Sequence, residues 1–176
     1  MRKIVFLLLF MPSILAAQNT KRNSLWMLLK PFIGTWKGQG EGEPGKGNYE
    51  RSYQFILNKR FIEIRNKSNY PPTAQYPSGE VHEDIGYFSY DNARKAFILR
   101  QFHIEGFVNQ FKLDSISADK KTLVFVTESI ENIPNGFKAK ETYHIINENE
   151  IEETFEIAEP GKRYSIYTRV KLIRQK

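Results

Sequence analysis

Several polar side chains in this chain sit in series that should be apolar. Along Ala139, Glu141, Tyr143 and Ile145, and along Ile151, Glu153, Phe155 and Ile157, a carboxylate occupies one place of a period-two apolar pattern. Arg51 does the same between Tyr49 and Tyr53, and Asn109 between Phe107 and Phe111. The stretch from Leu99 to Glu105 carries polar groups in both parities: Arg100 on one, Gln101 and His103 on the other. A buried carboxylate is costly unless it is paired or protonated. Glu141 and Glu153 therefore call for Arg51 or Arg100 close by, or for a polar ligand. An arginine facing a cavity suits a ligand carboxylate. His82, next to Glu83, is placed to line the same space as His103.

Each of these has a plainer role to weigh. Glu141 and Glu153 serve equally as an internal salt bridge or as rim residues, since charged groups are rarely buried unpaired. His103 serves as a hydrogen-bonded core residue. For catalysis, the glutamate pair or His103 would act as acid and base, in an isomerase or hydrolase type of barrel. A Gly-x-Ser-x-Gly nucleophile motif is missing. His82, His103 and a carboxylate lie too far apart in sequence for their spacing to define a metal site. The residues themselves demand no cofactor, no metal and no catalytic residue.

The elements that must position these groups are strands. From Tyr49 onward the hydrophobic period is two. Breaks fall at Asn58-Lys59, in the proline-containing stretch from Asn69 to Gly79, and at Asp91-Asn92 and Gly106. Further breaks fall at Ala118 to Lys120, Pro134-Asn135-Gly136, Asn147 to Asn149, and Pro160-Gly161. Nine or ten strands in series with short connections imply an all-β, closed up-and-down antiparallel barrel, which removes exposed edges. A short helix capped by Asn23 or Ser24 is expected through Leu29, ending before Pro31. The glycine-rich stretch from Gly40 to Gly47 lacks the Gly-Lys-Ser/Thr ending of a phosphate loop and reads as a hairpin turn.

A short helix, then Gly34-Thr35-Trp36 opening the first strand, then a strand meander, resembles the calycin superfamily of lipocalins and fatty-acid-binding proteins. Phe32 to Trp36 and His82-Glu83-x-x-Gly86-Tyr87 are similar to bacterial lipocalin-like families of unknown function and to nitrobindin-type haem-binding barrels. The resemblance implies that Trp36 packs at the closed end, crossed by a basic residue of the last strand, Arg169 or Arg174. It also implies haem as a cofactor. The nitrobindin histidine near the last strand is replaced here by Gly161 to Tyr167, which leaves Tyr164 or Tyr167 as the iron ligand.

Residues 1–17 have the layout of a signal peptide: Arg2 and Lys3, an apolar run from Ile4 to Leu15, then Ala16-Ala17. No second hydrophobic stretch follows, so no membrane anchor is expected after cleavage. Arg2 and Lys3 leave with the signal, and the formal charge falls from +6 to +4. The basic residues are scattered rather than clustered, which argues against nucleic acid as a partner. The chain has no cysteine, which excludes disulfides, thiolate metal sites and cysteine nucleophiles. The expected organisation is a signal peptide (1–17), a linker and short helix (18–30), and a barrel domain (31–176). The expected function is periplasmic or secreted binding of a small, largely apolar or amphipathic molecule. Arg51, His82, Arg100, Gln101, His103, Asn109, Glu141 and Glu153 would orient its head group.

Overall fold

Alternating apolar residues, many of them aromatic or β-branched, give each strand one face that must leave water, and ten such faces are buried together only by closure. The computed structural model describes residues 25–43, 45–74 and 77–176. The stretch expected to be a signal peptide (1–17) lies outside the described residues, as do Asn23 and Ser24. The chain divides into two units, Met1–Phe32 and Ile33–Lys176.

In the first unit, the expected helix is replaced by two single 3₁₀ turns, Trp26–Leu28 and Lys30–Phe32. They are closed by Leu29 N–H to Trp26 O (3.0 Å) and Phe32 N–H to Leu29 O (3.1 Å). Pro31 explains the shortness, because it has no N–H to give and disfavours helical geometry in the residue before it.

The second unit is a closed barrel of ten antiparallel strands. These are β1 (Gly34–Gly42), β2 (Gly47–Ile56), β3 (Phe61–Tyr70), β4 (Glu80–Asp91) and β5 (Ala96–His103). They continue as β6 (Val108–Ile116), β7 (Thr122–Glu131), β8 (Lys138–Asn147), β9 (Glu150–Ala158) and β10 (Ser165–Arg174). Each strand pairs with its neighbours in sequence, and β1 pairs with β10 to close the ring. The Pro134-Asn135-Gly136 turn joins β7 to β8, with Gly136 at φ +95°. At Gly38 a Cβ would stand 1.8 Å from the Lys171 carbonyl oxygen, so the β1–β10 approach tolerates no side chain there.

One end of the barrel is packed solid. Trp36, Ile62, Ile64, Phe88, Leu99, Phe111, Leu123, Phe125 and Leu172 are buried there. Phe88, Phe125 and Tyr143 contact one another edge-on or tilted, at ring separations of 5.3 to 6.1 Å. Of the two arginines expected over Trp36, Arg174 takes the place. Its guanidinium lies 4.1 Å from the ring centroid and donates to the Ile33 carbonyl at 2.6 Å. Arg169 is exposed and stands beside Glu152.

Candidate functional site

Toward the other end, the inward positions turn polar and the packing opens into a cavity of about 430 Å³. Sites for small molecules run from ~300 to 1,000 Å³. The cavity reaches Glu105 and Phe107 near the β5–β6 connection, and Ile133, Pro134 and Phe137 in the β7–β8 connection.

The pairing register decides which side chains face it. Gln101 pairs with Gly86 on β4 and Asn109 on β6. That places Gln101, His103 and Asn109 on the cavity wall. A Cβ on Gly86 would come within 3.1 Å of Gln101 Cγ, so this glycine makes room for the amide. Arg100 takes the opposite parity. It is half-buried on the outer face, donates to Ser89 Oγ at 3.3 Å and does not line the cavity. The expectation that Arg100 orients a head group is corrected by this one-residue difference in parity.

Glu141 and Glu153 both face inward, from neighbouring strands. They meet different fates. Glu153 is held by Arg51 Nε at 3.0 Å and by the Tyr53 hydroxyl at 2.7 Å. Arg51 also donates to the carbonyls of Glu50 and Lys67. Burial works against the Arg51 charge, but Glu153 and Asp84 outweigh it and hold the guanidinium firmly protonated. Glu141 is 7% exposed, lines the cavity and makes no hydrogen bond or ion pair among the described residues. Burial raises its pKa well above the usual carboxylate range, Glu153 and Asp84 add to the rise, and Arg51 opposes it.

His103 stacks on Phe107 at 4.1 Å, and its Nε2 lies 3.2 Å from the Asn109 amide nitrogen. Burial lowers its pKa to about 4, which keeps the imidazole neutral. His82 contacts Glu105 through Nδ1, and its Nε2 lies 3.0 Å from Glu80, off-line for a hydrogen bond.

Two wall residues did not stand out in the sequence. Asp84 falls in phase with His82, Gly86 and Phe88, and Asn66 in phase with Ile62, Ile64 and Ser68. That phase was the available signal. Asn66 donates to Asp84 at 2.8 Å. Burial lifts Asp84 to about 6, against the pull of Arg51 and the Asn66 hydrogen bond. Apolar side chains interleave with these polar groups on the wall: Ile130 pairs with Asn109, Phe155 with Glu141 and Val170 with Glu153, and Ile133, Phe137 and Ile157 complete the lining.

The haem expectation named Tyr164 and Tyr167. Tyr164 lies off the cavity, with Lys140 Nζ 4.8 Å from its ring. Tyr167 lines the cavity, but burial raises its phenol, and Glu80, Glu105 and Glu43 raise it further. A tyrosine ligand to iron serves as the phenolate, the form this setting disfavours. These two residues do not fit haem. Among the described residues no group of three or more His, Asp or Glu side chains is arranged to hold a metal ion.

No protein-family model matches the chain, and no curated protein matches it by sequence. Solved structures match it in fold. The crystal structure of Rv2717c from M. tuberculosis superposes with a TM-score of 0.62 at 16% identity, covering 86% of this chain and 98% of that one. A de novo designed fluorescence-activating β-barrel aligns with a TM-score of 0.43 at 14% identity, over 83% of this chain and 95% of that one.

Proposed function

We propose that the chain is an exported, calycin-type barrel that binds a small amphipathic molecule in its interior. The observation that carries this reading is the 430 Å³ cavity, lined by apolar side chains together with the buried carboxyl of Glu141. A barrel serving only as a scaffold fills its interior with side chains, as this one does around Phe88 and Phe125. The apolar side chains would take the body of the ligand. Gln101, Asn109, Asp84 and Glu141 would meet its head group. Arg51 is committed to Glu153, so a carboxylate head group, which Arg100 would have suited, has no unpaired buried arginine to meet. The signal-like leader supports export to the periplasm or medium.

Native mass spectrometry on protein purified from its own compartment without refolding tests this. The expected result is a retained mass above the polypeptide, released on denaturation. A bare polypeptide, together with no uptake of any apolar fluorescent probe, would overturn it.

A second reading, a barrel enzyme with a buried acid as proton donor or acceptor, has one observation in its favour. Asp84 titrates near 6, close to neutrality, inside a cavity. Under that reading a pH–rate profile loses one limb in Asp84→Asn. His103 is the poorer acid–base candidate, since Asn109 occupies its Nε2.

A further inference from the structure

The polar lining of the cavity is unbalanced in both charge and hydrogen bonding. Four acidic residues line it: Asp84, Glu105, Glu141 and Glu153. Of the lining residues only Arg51 and Lys138 carry a fixed positive charge. Arg51 is matched by Glu153, and Lys138 is an exposed residue at the start of β8. Asp84 and Glu141 form no salt bridge among the described residues, and Arg51 acts on them only at longer range.

The hydrogen-bond count leans the same way and is independent of charge. Asn109 is 1% exposed, and its Oδ1 has no donor while its amide nitrogen is turned to His103. Asn66, oriented by its donation to Asp84, likewise leaves a buried Oδ1 without a donor. Buried polar groups are normally satisfied, so each orphan acceptor asks for an N–H or O–H from elsewhere. Tyr49, Tyr70 and Tyr143 add ring faces and edges to the same wall. Aromatic faces attract cations.

Resting on the ligand-binding reading above, we infer that the head group this cavity selects is a protonated amine, carried on an apolar body. The ammonium has three donors and no acceptor, which is what Asp84, Glu141, Asn66 and Asn109 together lack. Glu141 faces Glu153 from β9, Arg51 from β2 and Asp84 from β4, with Tyr143 on its own strand. The Glu141 carboxylate is the counter-ion to the docked ammonium.

The test is isothermal titration calorimetry at pH 7.5 with three probes on one alkyl chain: octylamine, octan-1-ol and octanoate. Octylamine is expected to bind about tenfold or more tighter than the other two, the scale of one charge-assisted hydrogen bond. Glu141→Gln should cut octylamine affinity by about tenfold and so narrow its preference over octan-1-ol. A circular dichroism spectrum matching the wild type verifies that the variant is folded. The wild-type ranking needs no variant at all. If octanoate binds as tightly as octylamine, or if Glu141→Gln leaves octylamine affinity intact, amine selectivity is overturned while ligand binding stands. If none of the three binds, both readings fall.

Discussion

Around Phe88 and Phe125 the inward side chains touch one another. Around Glu141 and Asn109 the same strands leave a cavity. Strand β8 runs through both regions within four residues: Tyr143 packs on the rings of the filled end, Glu141 lines the cavity, and Ala139 leaves space. Backbone pairing changes between the two regions: β7 and β8 pair only from Thr122–His144 to Val126–Lys140, and β6 shifts register against β7 between Gln110 and Phe111. Side-chain choice differs as well. Large rings and branched aliphatics complete the packing at one end, whereas at the other Ala139 and the polar Asp84, Gln101, Asn109 and Glu141 interrupt them and leave space. The Arg51–Glu153–Tyr53 cluster marks the change, with its hydrogen bonds met from within the protein. The filled end bears the stability of the barrel and frees the open end to carry unmet polar groups.

Truncation at the two ends should separate them most. Phe125→Ala is expected to cost about 3–5 kcal/mol in urea unfolding, the range for emptying a buried aromatic site. Phe137→Ala, on the cavity wall, should cost far less, because its site already borders open space. Equal losses would abolish the distinction.

Of similar size is the effect at the boundary. Glu153→Leu strands Arg51 as an unpaired buried charge and should cost about 3–5 kcal/mol. Adding Arg51→Met should recover most of that loss. A double variant as unstable as the single one would mean that the cluster holds the barrel together in its own right.

A smaller effect depends on pH. The Asp84 pKa is raised in the folded protein from 3.8 to about 6. Below the lower value both folded and unfolded forms are protonated and nothing is lost. As pH rises through the window between the two values, the unfolded chain gives up its proton first, so the stability contributed by this group falls. The loss is complete above about pH 6 and amounts to about 3 kcal/mol. Urea midpoints of the wild type and Asp84→Asn should therefore diverge from pH 4 to pH 6, with the variant the more stable above that range. A constant gap would place Asp84 outside the polar cluster.

The smallest effect is expected at Arg100→Ala. Its side chain lies on the outer face with one hydrogen bond to Ser89, so stability should change by about 1 kcal/mol or less. Ligand occupancy by native mass spectrometry should be unchanged. Loss of occupancy would put Arg100 back at the cavity.

Strand order, closure and most inward positions were legible in the sequence, because period-two alternation and turn residues are local signals. Glu141, Glu153, Arg51 and Asn109 could be placed inward for the same reason: each interrupts an apolar series in phase. Arg100 and Gln101 could not be told apart, since that stretch has polar groups in both parities and only pairing with Gly86 and Asn109 selects one. Tyr164 and Tyr167 differ in the same way, because strand β10 begins only at Ser165 and shifts register against β9 between Ile166 and Thr168. The sequence by itself determined which residues had to leave water and where the chain had to turn. Only the tertiary structure decided that Arg51 goes to Glu153 and not to Glu141, because that partnership joins residues about a hundred positions apart and depends on how β2 and β9 face one another across the closed barrel.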